Sequence, residues 1–151
     1  MKRIFIVLFV TIFLCSCHKE VKTSYYLFTF TPSNIELSIP PKVTVKQLNY
    51  SNDSIAINSE KNRILSLKEG IIEELSKGSP IGPADDLTQK LNRQALESIL
   101  SETHTMMCLS SDENYDPKEF IDIAKKYGVE STEVKNFIED NKLAVKFIPL
   151  Y

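Results

Sequence analysis

Apolar residues fall along this chain in three regimes: an unbroken run near the start, then strand-like alternation, then helical spacing. Tyr25 to Thr31, YYLFTFT, carries Tyr26, Phe28 and Phe30 on one face and Tyr25, Leu27 and Thr29 on the other. Two largely apolar faces on aromatic, β-favouring residues predict a strand buried on both sides. Ile35 to Ile39 predicts a second, short strand, stopped by Pro40 and Pro41. Lys42 to Tyr50 alternates Val43 and Val45 against Lys42, Thr44 and Lys46, the pattern of a half-exposed strand. Ser51-Asn52-Asp53 then reads as a turn into one more strand, Ser54 to Asn58. The expectation is an antiparallel meander of three or four strands.

Helical spacing takes over after about residue 64. Ile64, Leu67, Ile71, Ile72 and Leu75 recur at intervals of a helix, with Ser66 to Glu69 as a capping box and Gly78 as the stop. The alternative for Arg63 to Leu67 is another strand. Gly82-Pro83-Ala84-Asp85-Asp86 has the proline and first-turn acids of a helix start. From Leu87 the series Leu91, Ala95, Ile99, Thr103 and Met106 predicts one long amphipathic helix to about Leu109. Asp116-Pro117-Lys118-Glu119 caps another helix, with Phe120, Ile123, Ala124 and Tyr127 as its inward stripe before Gly128. Ser131 or Thr132 starts the next, through Val134, Phe137 and Ile138. LAVKFIPLY closes the chain as a strand added to the N-terminal sheet. The fold class is α+β, a small antiparallel sheet packed by three or four helices in a single domain over residues 25–151.

The front of the chain has a different logic. Met1-Lys2-Arg3 is positively charged, and Ile4 to Leu14 holds only Thr11 among large apolar residues. Charge followed by a short apolar run is the pattern of an export signal. A stable membrane span takes roughly 20 apolar residues, so this run predicts export and cleavage. At its end Leu14-Cys15-Ser16-Cys17 resembles the lipobox of bacterial lipoprotein precursors, a likeness confined to the first 17 residues. The resemblance implies cleavage after residue 16, diacylglyceryl transfer to the Cys17 sulfur and acylation of the new amino group. Residues 17–24 then form a lipid anchor and short linker, and Cys15 departs with the signal. A metal or redox C-x-C pair needs both thiols. Two or three acyl chains, at about 0.8 kcal/mol per buried methylene, hold a protein well beyond the marginal grip of one chain. His18 follows the lipid-bearing cysteine where an aspartate favours retention at the inner membrane, so the expected location is the outer membrane, facing the periplasm.

Charge narrows the partners. Loss of Lys2 and Arg3 with the signal leaves 16 basic residues against 20 acidic, a net charge of about −4. That balance excludes a nucleic-acid partner and a polybasic membrane surface, leaving the bilayer to be reached through acylated Cys17. Cys108 remains as the one free thiol of the exported chain, and burial is its expected fate.

Candidate chemistry is sparse. On a helix, His104, Met107 and Cys108 share one side, and their soft donors suit Cu(I). Met106 and Met107, however, fall within the apolar stripe, where methionine fills core gaps. No G-x-S-x-G elbow surrounds a serine, so no catalytic residue is assigned. Asp85-Asp86 and Asp112-Glu113 flank expected helix starts and read as capping groups. Residues 120–143 have a helix-turn-helix rhythm, but export and net negative charge make them two packing helices. The sequons at Asn49 and Asn52 need no explanation beyond a polar turn. The exposed face of the last strand, around Lys146 and Ile148, is a partner-edge candidate. No cofactor is implied. The expected task is that of a non-catalytic accessory lipoprotein binding a protein of an envelope assembly such as a secretion or pilus system. The alternatives are an immunity or exclusion lipoprotein and a soft-metal or small-ligand carrier.

Overall fold

A computed structural model describes residues 21–34, 40–78 and 85–151. The element order is β1 (Val21–Thr31), β2 (Lys42–Leu48), α1 (Asp53–Ser76), α2 (Asp86–Leu100), β3 (Thr103–Asp112), α3 (Lys118–Tyr127), α4 (Thr132–Asp140) and β4 (Ala144–Pro149). The chain is a small α+β fold whose four strands form one antiparallel sheet in the order β2-β1-β3-β4. Cys15, Cys17, the expected strand Ile35 to Ile39, and Pro83 lie outside the described residues.

β1 is the spine. Tyr25 and Leu27 join one apolar cluster with Met106, Cys108, Ala56 and Ile64, and Tyr26 and Phe28 join a second with Met107, Leu109, Phe120 and Val134. The expected two-sided burial of this strand is what the structure has: Tyr25 to Phe28 are all at most 5% exposed. β1 starts at Val21, however, so pairing of Val21 with Asp112 takes residues 21–24 out of the expected linker. Val21, the first described residue, stands four positions after Cys17 in the sequence.

Two elements correct the sequence reading. Ser54 to Asn58 is not a strand but the first turns of α1, which therefore starts well before the capping box at Ser66 and also absorbs Arg63 to Leu67. Asn52 decides it, its side chain accepting from the Ile55 amide at 3.0 Å. The burial series is then Ala56, Glu60, Ile64 and Ile71, a helical stripe laid on the sheet. Tyr25 donates to Asp53 Oδ1 at 2.9 Å, and Lys68 Nζ donates to the Glu102 carbonyl at 3.0 Å. These contacts run α1 alongside β1 from its start toward its end. The meander thus reduces, among the described residues, to the β1–β2 pair.

The second correction is larger. The helix expected to reach Leu109 stops at Leu100, and Thr103–Asp112 is the strand β3 beside β1. Both alternating sets of β3 are buried, Met106 and Cys108 on one face, Met107 and Leu109 on the other. A strand apolar on both faces loses its period of two, so Ile99, Thr103 and Met106 fell on helical spacing by coincidence. Ten paired positions with β1, from Val21↔Asp112 to Phe30↔Thr103, decide in favour of the strand.

α2 begins where expected, with Asp85 as cap accepting from the Thr88 amide at 2.9 Å. It packs against α1 and buries none of its residues fully. α3 and α4 cover the other face. Asp116 Oδ1 accepts from the Lys118 amide, and Ser131 caps α4. Phe120 stacks on Phe137 at 5.7 Å and leans on Phe147 at 6.5 Å, joining α3, α4 and β4 around one ring. β4 completes the sheet by pairing with β3, and helices lie on both faces of the sheet, α1 on one and α3 and α4 on the other.

Candidate functional site

Corrected secondary structure disperses the soft-donor set. On β3, His104 and Cys108 point to the α1 side while Met107 points to the α3–α4 side. His104 and Cys108, four residues apart, are separated by roughly 13 Å along a strand. Three ligands that a helix would gather are thus split by a sheet. Among the described residues no group of three or more His, Cys, Asp or Glu is placed to hold a metal. Cys108 is buried, as expected, and burial pushes its thiol up, away from the reactive thiolate. Asp85 is the cap of α2, while Asp112 ends β3, its carboxylate accepting from the Asn114 amide at 3.2 Å rather than opening a helix. Residues 120–143 place the apolar residues of two helices against the sheet. Lys146 and Ile148 lie on an edge strand, but of the expected exposed face only Lys146 is exposed, Ile148 being partly buried against the cluster of Met106 and Cys108.

His104 is the buried polar residue sequence reasoning set at the margin. It is 5% exposed between the sheet and α1, and its Nδ1 has no hydrogen-bond partner. Nε2 stands 3.7 Å from Glu102 Oε2, whose other oxygen accepts from Thr31 at 2.8 Å. Burial pulls the imidazole pKa down, Glu102 opposes this, Lys68 and Arg63 on α1 add to it, and Glu60 opposes it. The native state therefore binds fewer protons than the unfolded chain below the ordinary histidine value of about 6.5, and stability falls as pH drops. The slope from one such group is at most about 1.4 kcal/mol per pH unit. Urea midpoints at pH 7.5, 6 and 5 measure it: the loss between 7.5 and 5 should shrink in His104→Gln. An unchanged loss in that variant would remove His104 from the account.

An apolar recess lies elsewhere, where element lengths fail to match. β1, eleven residues, reaches roughly 36 Å, whereas α3 and α4, ten and nine residues, reach only about 15 and 13 Å. Among the described residues, the two short helices leave one end of the sheet uncovered on their own face. There Val43 of β2, Phe28 and Phe30 of β1, Thr103 and Thr105 of β3 and Pro149 of β4 form the floor of a groove of about 440 Å³. The register brings them together, since Phe30 pairs with both Val43 and Thr103, and Thr105 with Pro149. The α3–α4 connection makes the wall through Ala124, Tyr127, Gly128, Val129, Glu130 and Ser131. Gly128 turns the chain there at φ 89° and ψ 149°, a conformation open to glycine and strained for other residues.

Phe30 and Tyr127 are 43% and 46% exposed at this groove, and among the described residues Glu130 alone brings charge to its lining. The opposite end of the sheet, where β1 starts, is lined instead by mixed charges, among them Lys22, Asp112, Asp116 and Lys125. Sequence reasoning missed the groove because it counted Tyr127 as core and left Phe30 as one face of a buried strand. The available hint was α3 itself, too short for the strands beneath it.

Comparison of the chain with protein-family models, with curated proteins and with solved structures finds no match. Among the described residues, no helix is long and apolar enough to cross a membrane.

Proposed function

We propose that this protein is a lipid-anchored component of the bacterial cell envelope, held on the outer membrane through acylated Cys17 and facing the periplasm. There it acts as a non-catalytic accessory module that binds a protein of a larger assembly such as a secretion or pilus system. The observation that carries the reading is the order of the first 17 residues, where positive charge, apolar run and Leu14-Cys15-Ser16-Cys17 follow one another. The start of β1 at Val21 supports it, because three intervening residues, 18–20, span at most about 11 Å and keep the folded unit near the bilayer. An open apolar groove at the far end of the sheet fits a binding role.

The test is Cys17→Ser in a bacterial host fed an alkyne fatty acid. The parent chain should be labelled and pellet with membranes, at a mass showing loss of residues 1–16. Cys17→Ser should lose the label and leave the membrane fraction. An unlabelled parent protein with its amino terminus intact would overturn the assignment.

A further inference from the structure

We infer that the groove between the bare sheet end and the α3–α4 connection binds a short, extended, apolar stretch of a partner polypeptide flanked by lysine or arginine. The floor crosses all four strands. At about 4.8 Å per strand its three spacings amount to roughly 14 Å, the length of four extended residues. The volume of about 440 Å³ lies within the roughly 300–1,000 Å³ of ligand pockets, enough for a few side chains and too small for a docked helix. Phe28, Phe30, Val43, Val129 and Pro149 supply apolar contact, while Thr103, Thr105 and Ser131 offer hydroxyls to a peptide backbone.

Charge selects among apolar occupants. Among the described residues Glu130 alone brings charge to the lining, so there a fatty acid or an anionic lipid meets repulsion and a cationic flank meets attraction. The exposed ring of Phe30 also suits a cation, whereas Tyr127, whose ring already has Lys126 Nζ 4.7 Å from its centre, supplies apolar contact. Position adds a direction. Nine residue steps from Val21 to Phe30 place the groove roughly 30 Å from the start of β1. That this end points away from the membrane toward a partner rests on the tether proposed above; peptide binding itself does not.

The experiment uses the full chain in lipid nanodiscs and two probe peptides, acetyl-Lys-Phe-Leu-Val-Phe-Lys-amide and the same core flanked by glutamates. Amide shifts followed by NMR should concentrate at Phe30, Thr105 and Val129. The lysine-flanked peptide should bind at least tenfold more tightly, Glu130→Lys should reverse that preference, and Tyr127→Ala, a change at an exposed ring, should weaken binding about tenfold. Equal affinity for the two peptides, shifts scattered away from the groove, or a concentration-dependent dimer covering these residues each overturn the inference. Loss of peptide binding with Cys17 still acylated strikes the groove alone, and unlabelled Cys17 with peptide binding intact strikes the tether alone.

Discussion

Phe120→Ala is expected to cost about 3–5 kcal/mol of folding stability, the range for removing a large aromatic ring from a closed core. Phe120 has no exposed surface and touches the rings of Phe137 and Phe147, so one truncation opens a void between α3, α4 and β4. Neither helix has length in reserve. At nine or ten residues each is too short to persist in water by propensity, and both depend on this contact to hold their place on the sheet. The expected fall in Tm is on the order of 10 °C for a chain of this size. Tyr127→Ala, on the same helix with its ring half exposed, should stay within about 1 kcal/mol. Thermal unfolding of the two variants side by side checks the claim, and a Phe120→Ala loss no larger than that of Tyr127→Ala would show that the ring does not organise this face.

The second large effect concerns a buried carboxylate. Glu60 is 3% exposed in the middle of α1, where Tyr50 donates to Oε1 at 2.8 Å and Arg63 donates to Oε2 through Nε at 2.8 Å and approaches it with Nη2 at 2.7 Å. Its two partners are not equivalent. Arg63 is half exposed and can return to water, whereas Glu60 cannot. Arg63→Leu therefore strands a buried charge on one oxygen and should cost about 2–3 kcal/mol, below the full range for deep pairs because solvent reaches the arginine side. Glu60→Leu should cost under about 1 kcal/mol, since Arg63 rehydrates and the Tyr50 hydroxyl keeps Ser59 Oγ at 3.1 Å. The double variant should be more stable than Arg63→Leu alone. Urea denaturation of all three, read as a double-mutant cycle, decides it, and equal costs for the two single changes would sink the asymmetry.

Polarity along the sheet connects these details to function. One end of β1 carries mixed charge and begins four positions after Cys17, while the other opens, on the α3–α4 face, onto a groove with exposed aromatics in which Glu130 alone is charged among the described residues. Under the proposed tether, such a layout keeps the apolar groove away from a charged headgroup layer.

Much of this architecture was legible in residue order. Tyr25 to Phe28 announced a strand buried on both faces because large apolar residues occupied successive positions, while Phe30, counted with them, is exposed. Asp116 to Glu119, Ser131 and Asp85 marked helix starts because capping is local, needing only a side-chain oxygen within three residues of a free amide. The lipobox resemblance, and with it the proposed location, is likewise linear, since it depends on consecutive residues.

What the order of residues left undetermined were the segments apolar in more than one register. Thr103 to Asp112 satisfied helix and strand spacing alike, and pairing with β1, seventy or more residues earlier, chose between them. Asn52 carried a valid helix cap, but the alternation of Ile55 and Ile57 in the residues after it suited a strand until α1 was laid over Tyr25 and Met106. The groove belongs wholly to tertiary structure. It exists because helices of nine and ten residues cross strands that are longer, and a mismatch between the lengths of packed elements is written in no single stretch of sequence.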